Sequence, residues 1–465
     1  MTHIDDLPDL KDEYDLFQLD DDFTDTSYHE DFLETIDIFI DEFVNHNIID
    51  YQESDFEDRV KDAVYTQITE LYNDQIDYLD ISIDDTIDEC VYLYFMKHSC
   101  PRSYSKSIVL SPTVPSIITE QLIKIQNKYQ PEQRSDDWYK FRWDGLTASN
   151  LWKIFDTQSS INSLIYSKCV PIDVKKYQMV NIDSPFHNGH KYEPLSLMIY
   201  EEMYDTKVSE YGCITHDRYE FLKASPDGIN TKKGNPRYGR LVEVKNPVSR
   251  KLTGIPKKDY WVQMQHQMEV CDLNECDFLE TIFKSYENET EFNNDGTFTK
   301  TADGKQKGIM IRFYDNKEPI YEYAPLNITK SEFDVWYAET MDKNKHLTWI
   351  ENIYWYLEDI SIVLVTRNKK WYSKALPKMI ETWDTIIKER KEGFEHRKPN
   401  KREKAPPKSL SKSKQSKSKS EEPIIFNDDE SDITSDNFNF SYLNNRSNKN
   451  TGKNKIVIKI DTNNI

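Results

Sequence analysis

Two carboxylates on either side of a turn are the residues of this sequence with the clearest chemical potential. Asp227 belongs to the turn-like triplet Pro226-Asp-Gly, and Glu243 lies in Leu241–Lys245, whose residue types predict a strand. Strand periodicity places Glu243 and Lys245 on one face and the intervening valines on the other. The valines can therefore pack into a core while the charges face a cleft.

A turn-rich stretch, Asn230-Thr-Lys-Lys-Gly-Asn-Pro, separates the two acids. A hairpin centred near Asn235 sets Asp227 opposite Glu243, about 5 Å apart. Carboxylates this close repel each other unless a cation lies between them. Hard oxygen ligands without a thiol or histidine cluster suit Mg²⁺, with Mn²⁺ as a substitute. With Lys245 nearby to orient a water or support phosphate charge, the pattern predicts metal-assisted phosphodiester hydrolysis.

Each of these signals has an ordinary explanation when taken alone. A Glu-x-Lys pair is most often a solvated surface pair, and Glu389-Arg390-Lys391 repeats it on a basic stretch with no other chemical signal. The hypothesis depends on the combination of the turn aspartate, the strand and further signals in order along the chain.

A third acid and a basic cluster flank the hairpin. Pro194 fits the first turn of an amphipathic helix and puts Glu193 near its start, as a third metal ligand or as an acid that complements the helix dipole. Spacing alone favours the second role, in which Glu193 complements the helix dipole. Arg142 and Ser149, with helix-start N–H groups, could cradle a phosphate. Ordinary capping with an ion pair is the alternative, which composition alone favours.

A glutamine-rich helix follows the hairpin. Gln263 and Gln267 are four residues apart and share a helix face, with Tyr260 one turn earlier. Uncharged amides in a cleft suit phosphate or sugar contacts, and the alternative is a polar helix surface. We interpret His266 as a surface or core-edge histidine, not as a metal ligand.

The charge of the chain is concentrated at one end. The 465 residues have a formal net charge of -22, but residues 1–100 alone hold 30 acidic and 4 basic side chains. We predict an acidic helical N-terminal domain (1–105), a nuclease core (106–345), a C-terminal helical extension (346–396, within helical residues 328–396) and a disordered tail (397–465). The acidic region could mimic DNA or bind a basic partner, and a solubilising role is somewhat favoured.

Several protein classes are excluded. The start lacks the basic and apolar regions of a secretory signal, and no stretch is long and apolar enough to span a bilayer. We therefore expect an intracellular protein that does not bind a membrane, with reduced cysteines. The six cysteines contain no C-x-x-C pair, which argues against zinc or iron–sulfur sites. The basic stretch that begins at Arg397 could hold DNA or be a nuclear address, and a solvated tail is at least as plausible.

The motifs taken together resemble a known family. The ordered set is Trp138, Arg142, Thr147-Ala-Ser149, Gly189-x-x-x-Glu193, Ser225-Pro-Asp227-Gly, Glu243-Val-Lys245-Asn-Pro and Tyr260-x-x-Gln263-x-Gln265. It resembles the phage lambda exonuclease family, or YqaJ-type viral recombinase nucleases, of the PD-(D/E)XK superfamily. The resemblance covers about a third of the chain, and the composition resembles that of a mimivirus-like giant-virus member.

The resemblance implies an α/β (α+β) fold, with a restriction-endonuclease-like core of a central mixed sheet flanked by helices. It implies Mg²⁺-dependent digestion of double-stranded DNA from 5′ ends, in the host cytoplasm, a viral factory or the virion. Asp227, Glu243 and the Val244 carbonyl would hold metal ions, Glu193 would serve a second ion, and Lys245 would assist the attacking water. The residues implied at the DNA end and its 5′-phosphate are Arg142, Ser149, Ser225, Gln263 and Gln265.

Family members can form rings around DNA, so a homo-oligomer (dimer or trimer) is expected, with a helicase or recombination protein as a further possible partner. Asn246 departs from the family, in which many relatives have Cys or a small residue after the lysine. Two other functions stay open: an endonuclease or single-strand nuclease with the same core, and a non-catalytic scaffold that binds DNA ends.

Overall fold

The structure is a computed structural model that describes residues 26–72, 82–110, 114–133, 135–173, 184–315 and 318–399. The helices are α1 (Thr26–His46), α2 (Phe56–Tyr72), α3 (Ile83–Lys97), α4 (Pro115–Gln126), α5 (Asp136–Trp143), α6 (Ala148–Leu151), α7 (Gln158–Cys169), α8 (Pro185–Met203), α9 (Lys258–Cys271), α10 (Glu289–Asn294), α11 (Lys330–Lys343) and α12 (Lys369–Glu392). The strands are β1 (Leu146–Thr147), β2 (Val208–Ser209), β3 (Ile214–Thr215), β4 (Leu222–Ala224), β5 (Gly228–Asn230), β6 (Leu241–Lys245), β7 (Glu275–Ser285), β8 (Lys307–Asp315), β9 (Glu318–Tyr323) and β10 (Thr348–Thr366).

A seven-stranded mixed sheet forms the centre of the molecule, in the order β2-β5-β6-β7-β10-β8-β9. Strands β6 and β7 are parallel, whereas the other neighbours in this sheet are antiparallel. A parallel pair needs a crossover connection, and helix α9 provides it between β6 and β7. The expected central mixed sheet flanked by helices is confirmed.

Helices α8 and α9 cover opposite faces of this sheet. Val242 and Val244 of β6 pack in one cluster with Tyr200 of α8. On the other face, Tyr260 of α9 packs against Phe278 of β7, with ring centroids 5.6 Å apart. The strand alternation predicted for β6 therefore decides which of its side chains meets which helix.

The helices predicted in the acidic region are present in its described part. Helix α1 buries Phe32, Ile36 and Ile40, whose four-residue spacing places them on one face of the helix. These residues belong to one hydrophobic cluster with Trp261 of α9 and Trp371 of α12. The described acidic helices therefore share a core with the central sheet and its helices. Residues 1–25, which carry much of the predicted acidic end, lie outside the described residues.

The prediction of helix throughout residues 328–396 is wrong for its middle. Residues 348–366 form β10, a 19-residue strand that pairs with β7 on one side and β8 on the other. Its run of aromatic and β-branched residues favours a half-buried strand, and two neighbouring strands supply partners for its backbone. The C-terminal extension thus begins with part of the central sheet, and α12 follows it.

The helix before the hairpin also begins earlier than predicted. Helix α8 starts at Pro185, and the Ser184 hydroxyl accepts a hydrogen bond from the His187 N–H at 3.1 Å. A serine N-cap followed by proline is a stronger start signal than Pro194. Glu193 therefore lies in the interior of α8, so neither the predicted place near the helix start nor a dipole role there is correct.

The boundary between the predicted acidic domain and the predicted nuclease core is attached to the sheet by residues 107 and 108. The Ser107 hydroxyl donates to Asp277 at 2.8 Å, and Arg240 donates to the Ile108 carbonyl at 3.0 Å.

At the start of the predicted tail, Arg397 forms a two-bond ion pair with Glu389. The remainder of the predicted tail, from residue 400, lies outside the described residues. In the described part of the chain, no helix is long and apolar enough to span a bilayer.

Candidate active site

The hairpin of β5 and β6 has the predicted register. Gly228 pairs with Val242 and Ile229 pairs with Leu241, so continuing the ladder by one residue brings Asp227 opposite Glu243. The Val244 N–H donates to Asp227 Oδ2 at 2.7 Å, across the end of the hairpin. The turn aspartate and the strand glutamate are therefore neighbours, as the spacing of the turn predicted.

The charges of β6 share the face that α9 covers. Lys245 Nζ lies 2.8 Å from Glu243 Oε1, and the Glu243 side chain is fully buried. A buried carboxylate needs a charge partner and hydrogen-bond donors, because leaving it without them costs several kcal/mol. Lys245 supplies the charge, and helix α9 supplies the donors.

Two glutamine amides bind the two oxygens of Glu243. Gln263 Nε2 donates to Oε1 at 2.7 Å, and Gln267 Nε2 donates to Oε2 at 2.6 Å. The shared helix face is confirmed, but the polar-surface alternative is wrong because both glutamines are buried. Gln267 was not among the residues implied by the family resemblance, although its four-residue spacing from Gln263 was the signal that identifies it.

Gln265 lies away from Glu243, since residues two apart on a helix do not share a face. Its Nε2 donates to the Thr366 carbonyl at 2.9 Å, and its Oε1 accepts from the Asn368 N–H at 2.7 Å. The structure thus places Gln265 at the junction of β10 and α12. His266 is a core residue: its ring contacts the Tyr372 hydroxyl at 2.8 Å, and burial lowers its pKa to about 4.

The electrostatics of the hairpin end favour a cation. Burial and then the charges of Glu243 and Glu193 raise the pKa of Asp227 well above its ordinary value, while Lys245 and the Val244 N–H act in the opposite direction. Three carboxylates thus influence one position at the end of the hairpin, although Glu193 comes from a different element. The hard oxygen donors and excess negative charge fit a divalent cation such as Mg²⁺.

The oxygen donors do not surround one common point. Among the described residues, no three or more His, Cys, Asp and Glu side chains are grouped so that they could hold a metal ion. Glu243 is instead engaged by Lys245 and by the two glutamines. The Gln267 Oε1 atom is buried and has no hydrogen-bond partner in the described structure, so a cation or water could satisfy it. The predicted metal set of Glu193, Asp227, Glu243 and the Val244 carbonyl stays a prediction.

Asn246 joins the end of β6 to α8 and β7. Its Nδ2 donates to Ser196 Oγ at 2.8 Å and to Thr281 Oγ1 at 2.7 Å, and its carbonyl accepts from Asn188 Nδ2 at 3.1 Å. Asn188 and Ser196 lie on α8, before and after Glu193. The residue that departs from the family pattern therefore holds this helix against β6.

The second predicted group lies around α5. The Arg142 guanidinium stacks over the Trp138 ring at 4.4 Å and contacts Ser149 Oγ at 3.4 Å. Ser149 is exposed and Arg142 is partly exposed, so an anion can reach both. Thr147 occupies the N-cap position of α6, although its hydroxyl makes no capping hydrogen bond.

Strand β4 connects the two groups. Lys223 in β4 donates to the Phe141 carbonyl of α5 at 2.8 Å, and the chain continues through Ser225 to Asp227. Ser225 Oγ donates to the Gly212 carbonyl at 3.3 Å. The structure thus brings Arg142 and Ser149 together, and likewise Asp227, Glu243 and Lys245. A single short strand leads from the first group to the second.

The sequence of this region matches a known family model, and the match spans both groups. Residues 137–274 match the model of the YqaJ-like viral recombinase domain. Outside this domain lie the helices α1–α4 and α10–α12 and the strands β7–β10. The resemblance seen in the motifs is therefore confirmed for the part of the chain that holds every predicted site residue.

Three known proteins are similar to this chain. An uncharacterised protein of Acanthamoeba polyphaga mimivirus is 29% identical over 295 residues, which cover 56% of this chain and 53% of that relative. An alkaline exonuclease from Laribacter hongkongensis has a TM-score of 0.32 at 15% identity, covering 56% of this chain and 95% of its own. A phage-related exonuclease from Haemophilus somnus has a TM-score of 0.29 at 12% identity, with coverages of 53% and 96%. The chain thus spans about half the length of the mimivirus relative.

Proposed function

We propose that this protein is a metal-dependent deoxyribonuclease that digests linear double-stranded DNA from 5′ ends and releases 5′-mononucleotides. The observation that carries the proposal is the end of the β5–β6 hairpin, where Asp227, Glu243 and Lys245 meet inside a YqaJ-like viral recombinase domain. Paired carboxylates beside a lysine suit hydrolysis of a phosphodiester, whose reaction concentrates negative charge on phosphate oxygens.

The acids of the hairpin would hold the cofactor. Asp227, Glu243 and the Val244 carbonyl would bind one divalent cation, and Glu193 would serve a second. When bound, Mg²⁺ or Mn²⁺ lowers the pKa of water and stabilises charge on the phosphate. Gln263 and Gln267 orient the Glu243 carboxylate by one donor to each oxygen. Asn246 holds α8, and with it Glu193, against the end of β6.

The lysine and the basic group would act on the substrate. Lys245 is held by Glu243 at 2.8 Å, so its ammonium can support the charge that develops on a phosphate nearby. Arg142 and Ser149 offer a guanidinium and a hydroxyl to the terminal 5′-phosphate, a geometry that suits charge-assisted hydrogen bonds. Ser225 and Gln263 would complete this grip. Duplex affinity should fall steeply as salt concentration rises.

The assembly and setting of the protein are part of the same proposal. A homo-oligomer, dimer or trimer, would keep the enzyme on its substrate, and a helicase or recombination partner would supply or use the resected DNA. The mimivirus relative supports a giant-virus setting for this activity.

The deciding experiment compares four substrates with Mg²⁺ and with EDTA: 5′-phosphorylated linear duplex, 5′-hydroxyl linear duplex, closed circular duplex and single-stranded DNA. We expect Mg²⁺-dependent release of mononucleotides from linear duplex, fastest from 5′-phosphorylated ends. Asp227→Asn should abolish it, whereas the exposed control Asp342→Asn should not. Cleavage of the closed circle would favour an endonuclease, and binding of ends without cleavage by the unaltered protein would favour the scaffold.

A further inference from the structure

The C-terminal turn of α5 is bound by three cationic side chains. A helix leaves its last carbonyls without helical partners, and they are usually satisfied by a local cap or by water. Here four consecutive carbonyls, those of residues 141–144, each accept a hydrogen bond from a lysine or an arginine. Lys223 donates to Phe141 at 2.8 Å and to Asp144 at 2.7 Å, Lys168 donates to Arg142 at 2.8 Å, and Arg390 donates to Trp143 at 3.1 Å.

The three cations come from elements far apart in the sequence. Lys168 lies in the last turn of α7, Lys223 lies in β4, and Arg390 lies in the last turn of α12. Lys168 and Lys223 are buried, and the Arg390 side chain is 16% exposed. Arg390 belongs to a helix that lies outside the residues that match the viral recombinase domain.

Arg390 is the most extensively bound of the three. Its Nη1 pairs with Asp144 Oδ1 at 2.8 Å, its Nε donates to the Lys168 carbonyl at 2.8 Å, and its guanidinium stacks over the Trp143 ring at 3.8 Å. One side chain therefore joins α12 to both α5 and α7. An arginine suits this position because its planar fork can make several directed hydrogen bonds at once.

This arrangement gives the turn more positive charge than a helix end requires. A helix C-terminus carries roughly half a negative charge, and Asp144 adds one more. Lys168, Lys223 and Arg390 exceed that charge, and Arg142 in the same turn adds a fourth cation. Burial, and then the positive charge of Arg142, lower the pKa of Lys168 to about 7, so near pH 7 Lys168 carries only part of a charge and most of the surplus comes from Lys223, Arg390 and Arg142. The surplus is what an anion at Arg142 and Ser149 would neutralise.

We infer that Arg390, with Lys168 and Lys223, is a positioning residue for Arg142, so that the C-terminal helix completes the subsite for the terminal 5′-phosphate. The three side chains hold the backbone on both sides of Arg142, and they thereby fix the direction in which its guanidinium leaves the turn. The inference rests on the proposed function, because it assumes that Arg142 receives the phosphate.

The test measures the binding of labelled duplexes with 5′-phosphate or 5′-hydroxyl ends by fluorescence anisotropy in EDTA, so cleavage does not interfere. The readout is the ratio of the two affinities. Arg390→Gln should reduce this ratio about tenfold, as expected for one lost charge-assisted contact. Arg390→Lys keeps the charge and one donor, so it should restore part of the ratio.

Arg397→Gln is the matched control. Arg397 is also 16% exposed and also forms an ion pair, with Glu389 on α12, but its hydrogen bonds go to Glu389 and Asn162 and not to α5. We expect this variant to leave the affinity ratio unchanged even where it lowers the melting temperature. A ratio that falls equally in both variants would overturn the inference, because it would then report stability alone.

Arg142→Gln separates the inference from the proposed function. If Arg142→Gln removes the preference for phosphate and Arg390→Gln keeps it, the inference is wrong and the proposed phosphate subsite stands. If the unaltered protein shows no preference, both are wrong. If Arg390→Gln does not fold, Arg390→Lys alone decides, since its single donor cannot replace all the contacts and an unchanged ratio would refute the role.

Discussion

Replacing Asp227 by Asn should stabilise the metal-free protein while it abolishes activity. Asp227 is a half-buried carboxylate opposite the fully buried Glu243, and the Glu193 charge also acts on it. Two unit charges about 5 Å apart interact by roughly 3 kcal/mol at an effective dielectric constant near 20. Asparagine removes this repulsion and keeps an oxygen that can accept from the Val244 N–H. Because Lys245 already offsets part of the repulsion, we expect a net gain of about 1–3 kcal/mol.

The assay is thermal and urea unfolding in EDTA and then in excess Mn²⁺. The gain corresponds to a rise in melting temperature of about 1–1.5 °C for each kcal/mol in a chain of this size. The unaltered protein should be stabilised by Mn²⁺, by about 2.7 kcal/mol at a hundredfold excess over the dissociation constant, and Asp227→Asn should lose this effect. Asp342→Asn, a substitution at an exposed residue, should change the free energy of unfolding by less than about 0.5 kcal/mol in both conditions.

One combination of results would refute this reasoning. If Asp227→Asn is less stable than the unaltered protein in EDTA and is stabilised by Mn²⁺ to the same extent, then Asp227 neither repels its neighbours nor binds the cation. The hairpin end would then be a structural ion-pair network, and the nuclease proposal would lose the site that supports it.

Three further changes test the surroundings of the hairpin. Lys245→Met should lower the turnover rate about 10²–10³-fold with little change in the Michaelis constant, because the ammonium supports charge that develops only during the reaction. Steady-state kinetics with linear duplex DNA would measure both constants. Gln267→Leu should destabilise the protein by about 1–3 kcal/mol and weaken the Mn²⁺ binding measured by calorimetry, because Glu243 loses a hydrogen-bond donor. The control Gln265→Leu should also destabilise the protein but leave Mn²⁺ binding unchanged, because Gln265 binds the Thr366 carbonyl and not Glu243. Burial lowers the pKa of His266 to about 4 in the folded protein, below the ordinary 6.5. As the pH falls, the unfolded chain therefore takes up a proton on this histidine before the folded protein does. The free energy of unfolding should decrease by about 3 kcal/mol between pH 6.5 and pH 4. Urea unfolding at pH 7 and pH 4.5 would measure this loss, and His266→Gln should remove most of the slope; an unchanged slope would assign the acid sensitivity to other groups.

The sequence alone determined the parts of the site that depend on short-range geometry. Asp227 and Glu243 are joined by one turn, so turn chemistry and the two-residue period of a strand were enough to predict their register. The four-residue spacing of Gln263 and Gln267 likewise predicted a shared face, although it did not show that Glu243 lies beneath that face. Each of these relations lies within one hairpin or one helix.

Only the tertiary structure decided the parts that depend on distant partners. Residues 348–366 become a strand because β7 and β8 flank them, a condition that local periodicity does not contain. The charge of Glu193 acts on Asp227 from the interior of a helix whose start lies eight residues earlier. Arg390 lies in a Glu-x-Lys stretch that looked like solvated surface, yet it binds the Trp143 carbonyl across 247 positions of chain. Local patterns report which face a side chain shares, whereas burial and charge compensation depend on which elements the whole chain brings against that face.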